Sequence, residues 1–407
     1  MKSALLLDNE SFLSKNKSST RLGYIQAFLL AFIVLWQLLG FVPRIPSNIY
    51  IGILAFISLF IFKYKNNLYW PILLLILYIP INIVLCNPNR IFQSWLRYMG
   101  FVVVILSVSP LLQSNYSRNF RKNSLLYILT LITILSVASF FAYFMSINYY
   151  HAEYSSEIGL TNFAGLTNHS MVLGPISGLA ICFQIFLLFS LRGKIKILLY
   201  LSLVCSIGSL LFAASRGAFV GTVCGAGIML LIFSHAKKKL LQYAVVLGII
   251  IAATSNLWVP AMEGMIFKQE NTHDLGRFGT RTDRWEYRIR EFEENPIIGV
   301  GFSSVDLNID DRVNLESGVI EPGSSWLSIL SMLGIIGFII FLRIYYQTIK
   351  NLIDRSIYTD PWRILLLGLV ALFSVHMMIE GYVFAFGSPL CLILWLVLGN
   401  AVDIRYR

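Results

Sequence analysis

The sequence predicts an all-α, polytopic membrane protein with about twelve transmembrane helices and one large extracytoplasmic loop that contains short helices. Three observations carry this. The chain is 57% hydrophobic and 13% charged, against about 25% charged in an ordinary soluble domain. Its apolar residues fall in long runs of about twenty, the length a helix needs to cross the hydrocarbon core. Its Lys and Arg are distributed unevenly between alternate connections. Together they exclude a secreted enzyme, a cytosolic enzyme and a disordered chain. The net charge of +11 therefore reads as membrane topology rather than nucleic-acid binding.

Twelve runs qualify as spans: 22–42, 46–62, 68–86, 98–113, 125–147, 169–191, 197–213, 218–234, 240–257, 326–345, 364–381 and 387–403. With the N-terminus inside, 21 of the 32 Lys and Arg and about 5 of the 21 Asp and Glu fall on inside segments. That asymmetry predicts cytoplasmic N- and C-termini and an even number of spans. The resulting organisation is a tail over 1–21, a bundle over 22–257, an extracytoplasmic loop over 258–325, a second bundle segment over 326–403 and a tail over 404–407. The first 21 residues are polar and the apolar run after them is too long for a signal-peptide core, so no cleaved leader is expected. The five cysteines, none in CxxC spacing, lie in or at the ends of apolar runs and read as buried structural residues.

The long loop holds the densest chemistry. Residues 277–290 carry five arginines against Asp283 and Glu286. Thr280 with Asp283 three residues on is close to a capping box, and Asn295-Pro296 ends the helix, which predicts a helix from 280 to about 294. Its Arg281, Arg284 and Arg288 follow 3-and-4 spacing and share a face, beside an apolar stripe of Trp285, Ile289 and Phe292. Arginine grips phosphate oxygens in pairs and stays charged, so a lipid pyrophosphate is a natural target. The alternative is pairing with local carboxylates such as Glu286 and Glu291, or with anionic headgroups. Ser215-Arg216-Gly217 turns one span into the next on the same side as that loop. An arginine at a membrane boundary needs a partner or snorkels to the interface.

Other candidates are more isolated. Gly299 and Gly301 in Pro296–Gly301 allow positive φ or close backbone approach. His169 opens a span, and a lone histidine is more often structural than catalytic. His273-Asp274 and Glu321 are candidate acid or base groups, Glu321 at the membrane surface. His376 and Glu380 stand four apart near the outer end of a span and are expected to be able to pair there.

These landmarks occur in order: Ser-Arg-Gly between spans, a long outside loop with Arg281-x-x-x-Trp285 and Asn-Pro-Ile-Ile-Gly-Val-Gly (295–301), and Ser-Trp-Leu entering a span with Leu333-Gly334-Ile335-Ile336-Gly337. Gly165-x-x-x-His169 adds a further match. The pattern, over roughly 215–337, resembles the bacterial O-antigen ligase and O-antigen polymerase superfamily of the Wzy-C type. The resemblance implies a glycosyltransferase at the outer face of the bacterial cytoplasmic (inner) membrane, with a donor glycan carried on undecaprenyl pyrophosphate. The acceptor would be another glycan or lipid A–core, with membrane lipid and other polysaccharide-assembly proteins as partners. It places Arg216 and Arg281 at the family's pyrophosphate-binding arginines. The sequence departs from family ligases at 322–326, Pro-Gly-Ser-Ser-Trp, where they carry a histidine. This favours an O-antigen, capsule or exopolysaccharide polymerase over a ligase and leaves Glu321, or else His169, as the base. Pyrophosphate held by Arg216, Arg281, Arg284 and Arg288, with Ser215, Gly217, Trp285, Gly299, Gly301 and Glu380 in support, requires no metal and no cofactor. A lipid-linked oligosaccharide flippase is the rival from another class, but it would place charges along a central path. A third reading, a scaffold whose loop binds a partner, would not need the Ser-Arg-Gly turn.

Overall fold

The computed structural model describes residues 17–64, 66–149, 163–233, 280–309, 318, 320–354, 358 and 360–406. Within them the chain is a bundle of apolar helices: α1 (Lys17–Leu38), α2 (Ser47–Phe62), α3 (Trp70–Cys86), α4 (Ser94–Val108), α5 (Asn115–Phe144), α6 (Ser170–Ser190), α7 (Ile195–Phe212) and α8 (Arg216–Phe233). After the amphipathic α9 (Thr280–Glu294) come α10 (Ser325–Leu352), α11 (Pro361–Ile379) and α12 (Pro389–Asp403). Among the described residues eight stretches are long and apolar enough to cross a membrane, and α2, α3 and α12 are shorter apolar helices. Each expected span in the described residues falls on one of these helices; the run 240–257 lies outside the described residues. The outer helices expose large apolar side chains such as Leu59, Val84, Ile197 and Leu201. That suits hydrocarbon, and the protein is a multi-pass membrane protein.

Contacts between helix ends define two ends of the bundle. At the loop end, where α9 lies, Gly40 N–H donates to Leu166 O (2.9 Å) and Leu39 bridges Thr167. At the opposite end β1 (Asn67–Leu68) pairs antiparallel with β2 (Leu112–Gln113). The pairing corrects the fourth span: the helix is Ser94–Val108, and 112–113 form a strand. The fifth span begins earlier than its apolar run, at Asn115, because Ser114 and Ser117 form a capping box (3.1 and 2.9 Å). The basic connections expected inside, such as 192–196, gather at this opposite end.

That end is fastened by a buried ion pair. Arg121 donates to both oxygens of Asp403 (Nε 2.8 Å, Nη2 2.7 Å) and to the carbonyls of Ser109 (2.9 Å) and Leu112 (3.1 Å). The side chains are 1% and 4% exposed. Removing one partner strands the other charge, so Asp403→Ala is expected to cost about 3–5 kcal/mol. Replacing both residues by leucine should recover much of that loss. Unfolding in detergent measures both.

At the loop end α10 is broken. Gly334 has φ 63° and ψ −170° inside the helix, and backbone groups on both sides of the break find partners outside the helix. Val300 N–H donates to Ser331 O (2.9 Å) and Gly301 N–H to Met332 O (3.1 Å). Ile335 N–H donates to Pro296 O (2.9 Å), and Tyr78 Oη–H donates to Leu333 O (2.8 Å). Asn82, wholly buried, gives its amide to Ile298 O (2.6 Å) and accepts from Phe302 N–H (2.7 Å). Irregular backbone at membrane depth survives only when so satisfied. Gly299 (φ 75°) packs against Ser331 O, and Gly334 packs against Ile297 O. The sequence runs 295–301 and 333–337 are therefore two halves of one joint. Gly334→Ala is expected to destabilise by at least about 1–3 kcal/mol from backbone strain alone, read as a lowered melting temperature in detergent.

Candidate functional site

The Ser-Arg-Gly turn is built by a left-handed residue. Ala214 sits at φ 50°, a conformation that costs a non-glycine residue about 1–2 kcal/mol. This reverses the chain between α7 and α8 within three residues. Small neighbours let the corner sink into the bundle. A Cβ on Gly174 of α6 would stand 2.7 Å from the Ser215 Cβ, and one on Gly217 would stand 3.1 Å from Ile379 at the end of α11. Ser215 is half-buried, Gly217 is buried and Arg216 is exposed.

The end of α11 is stitched to the turn before α10. Ser325 donates to Glu380 O through its N–H (3.1 Å) and hydroxyl (2.7 Å), and its oxygen accepts from Tyr382 N–H (3.0 Å). Ser324, the cap of α10, donates its hydroxyl to Met377 O (3.2 Å). Gly381 packs on Pro322. Glu380 lies just past the helix in extended backbone, half-buried. His376 is buried, and its Nδ1 shares a hydrogen bond with the Tyr382 hydroxyl (3.2 Å). Burial holds the Tyr382 phenol well above its ordinary pKa, with Tyr345, Glu380 and Cys391 adding to it, so this phenol stays neutral.

On the same turn rests α9, which spans the predicted residues. Trp285 Nε1–H donates to Gly323 O (3.2 Å), and Gly323, at φ 68°, would place a Cβ 2.9 Å from the Arg284 Cβ. Arg284 forms an ion pair with Glu321, with both side chains partly open to solvent. The contacts thus run unbroken from Ser215–Gly217 through Ile379–Gly381 and Pro322–Ser325 to Arg284 and Trp285. Arg281 lies in the first turn of this helix.

The arginine row does not act as one face. Arg288 is 3% exposed and donates from Nη1 to Glu291 (2.8 Å), Ser331 Oγ (3.2 Å) and Ser304 O (3.3 Å). Its Nη2 is buried with no hydrogen-bond partner among the described residues. Glu291, wholly buried, also accepts from Asp306 N–H (2.9 Å). This polar seat turns Arg288 inward, while Ile289 of the apolar stripe is 44% exposed. Arg290 pairs with Glu286 at the surface. Local carboxylates therefore claim Arg288 and Arg290, and Arg288 belongs to the seat of α9 rather than to an open anion site.

His169 caps α6, its Nδ1 accepting from Met171 N–H (3.0 Å). A neutral ring in that role carries its proton on Nε2, so its acceptor nitrogen is engaged by its own helix. Gly165, four residues earlier, is left-handed (φ 56°) and packs on Ser139. Gly299 and Gly301 (φ 75° and 108°) take part in the joint at Gly334. His273-Asp274 lies outside the described residues. Cys182 and Cys391 are buried, the other three cysteines are half-buried, and all five are free.

Two polar residues escaped the sequence reading. Asn82 is a single amide in an apolar run, the signal that would have found it. Arg97, at the start of α4, donates to Ser303 Oγ (3.2 Å) and Gly318 O (2.7 Å).

No curated protein matches the chain. A family model described as Wzy_C, O-antigen ligase, matches residues 201–342. The matched interval begins in α7 and ends in α10, enclosing the Ser-Arg-Gly corner, α9 and the 322–325 turn. Residues 201–342 are thus similar to the O-antigen ligase family, and that match supports the O-antigen ligase and polymerase superfamily for this part of the chain.

Proposed function

We propose that the protein is a glycosyltransferase of surface-polysaccharide assembly. It would extend or transfer a glycan carried on undecaprenyl pyrophosphate at the outer face of the bacterial inner membrane. The observation that supports this is the packing of the Ser215–Gly217 corner, the 322–325 turn and α9 into one end of the bundle. That end carries an exposed Arg216 and the Arg284–Glu321 pair, and basic connections among the described residues lie at the other end, as expected of a cytoplasmic face.

In this reading Arg216, Arg281 and Arg284 hold the pyrophosphate, while Arg288 fixes α9 from behind. The acceptor hydroxyl attacks the anomeric carbon as the bond to the phosphate oxygen breaks. The electron pair leaves with the pyrophosphate, whose growing charge the guanidinium groups stabilise. Glu321 takes the hydroxyl proton. Its ion pair with Arg284 keeps that carboxylate beside the leaving group. His169 is the weaker candidate for base because its acceptor nitrogen is already used by its own helix.

The reaction uses no metal, since arginines supply the charge that Mg²⁺ would otherwise bring. Polymerisation is favoured over ligation to lipid A–core because no histidine stands between Glu321 and Trp326. The flippase reading has less support: the buried Arg121–Asp403 pair closes on backbone carbonyls at the opposite end and offers no path.

Deletion followed by gel analysis of the surface glycan tests the assignment. Single repeat units in place of long chains are expected. Polymer stranded on the lipid carrier would make the protein a ligase. Unchanged surface glycan would remove both. The purified enzyme is expected to keep its activity in EDTA.

A further inference from the structure

Beside the 322–325 turn, on the loop end, is a cavity of about 370 Å³, toward the small end of ligand pockets, which run from about 300 to 1,000 Å³. Its walls are mostly apolar and come from the 381–388 connection and the turn: Val383, Phe384, Phe386 and Ile320. A few polar groups converge on it: Arg97, Ser303, Ser328 and Ser388. Apolar faces with scattered hydroxyls suit a sugar ring, which presents C–H on its faces and hydroxyls at its rim.

The charge is more specific. Arg97 is the one cation in the described lining, and no carboxylate lines the cavity with it. Arg97 is half-buried and forms no ion pair among the described residues. Its two hydrogen bonds among the described residues, to Ser303 Oγ and Gly318 O, engage two of its five donors. A guanidinium held in an apolar wall at a membrane boundary calls for a counter-ion, and its planar fork matches a carboxylate. Location supplies the last point. Ile320 and Pro322 both line the cavity, and Glu321 stands between them.

We propose that this cavity is the acceptor subsite and that it takes an acidic sugar at the end of the acceptor glycan. Arg97 grips the sugar carboxylate, and Phe384 and Phe386 cover the ring. The bound sugar then lies on the cavity side of the turn that carries Glu321, with Arg284 and the donor beyond it. The inference rests on the glycosyl-transfer reading but is tested by binding.

The full-length protein in lipid nanodiscs is titrated with a disaccharide ending in glucuronic acid, with its neutral glucose counterpart and with inorganic phosphate. The acidic disaccharide is expected to bind at least about tenfold more tightly than either of the others, the worth of a charge-assisted pair. Arg97→Gln should lose that preference. Because Arg97 also ties 303 and 318 together, a second variant is needed. Gly387 lines the cavity, and a Cβ there meets nothing within 4 Å. Gly387→Phe therefore sets a bulky ring at the cavity lining without a backbone clash and should weaken binding at least about tenfold. Arg216→Ala should leave binding unchanged.

Equal binding of acidic and neutral disaccharides, or wild-type binding by Gly387→Phe, overturns the proposal. Preferential binding of phosphate also overturns it and would assign the site to a phosphate-bearing headgroup. If Arg216→Ala abolishes transfer while Gly387→Phe changes neither binding nor transfer, the acceptor subsite fails and the enzyme reading stands. If Arg216→Ala keeps full transfer, the enzyme reading fails whatever the cavity binds.

Discussion

Arg216→Ala is expected to lower glycan transfer by about 100- to 1,000-fold with normal protein levels and an unchanged melting temperature, the effect of deleting one preorganised charge partner of a leaving group. The separation of activity from stability follows from the corner's construction. The turn is held by Ala214 in its left-handed conformation and by Ser215 and Gly217 against α6 and α11, and Arg216 is exposed on it. Arg216→Lys should recover only part of the activity, because an ammonium supplies the charge without the planar fork. A transporter reading predicts a different outcome, since polymer made elsewhere would still form from whatever donor crosses. The measurement is chain length and yield from lipid-linked repeats with the purified variants.

Glu321→Gln is expected to lower kcat by about 100- to 10,000-fold, the usual worth of a positioned general base, with little change in donor KM. Glutamine keeps the shape of the side chain and one carbonyl oxygen for Arg284, so the turn should stay folded. Arg284→Ala is expected to reduce both donor binding and turnover, because it removes a phosphate ligand and the partner of the base. The double variant should fall well short of the product of the two single effects, as residues in direct contact do not add. Strict additivity would mean that the Arg284–Glu321 pair is a surface contact with no part in the reaction. His169→Ala tests the other candidate. It is expected to destabilise α6 through the lost cap, by about 0.5–2 kcal/mol, more than it slows transfer.

The helices were legible because their apolar runs are local facts of the sequence. α9 was equally legible: the described helix starts at Thr280, and Asn295-Pro296 closes it at Glu294. What the sequence left closed was decided by partners far away along the chain. Arg288 reads as a surface arginine until Glu291, Ser304 and Ser331 meet it from three segments. The polar run at 115–124 reads as a cytoplasmic connection. It is helical because its cap is local, but its Arg121 finds Asp403 only through the fold. Gly299 and Gly334 each announce an unusual backbone, yet nothing in either run says that the two touch. Among the candidate site residues, Arg216, Arg284 and Glu321 were visible as charges beside apolar spans. The pairing of Arg284 with Glu321 was not, because 37 positions separate them.

The account depends on guanidinium groups from the α7–α8 corner and from α9 holding one diphosphate between them. The most direct measurement is binding of undecaprenyl pyrophosphate, without any glycan, to the purified protein in nanodiscs. Arg216→Ala and Arg284→Ala are each predicted to weaken that binding at least about tenfold, and Arg290→Ala, on the exposed face of the same helix, is predicted to leave it unchanged. Wild-type affinity in both Arg216→Ala and Arg284→Ala would contradict the account.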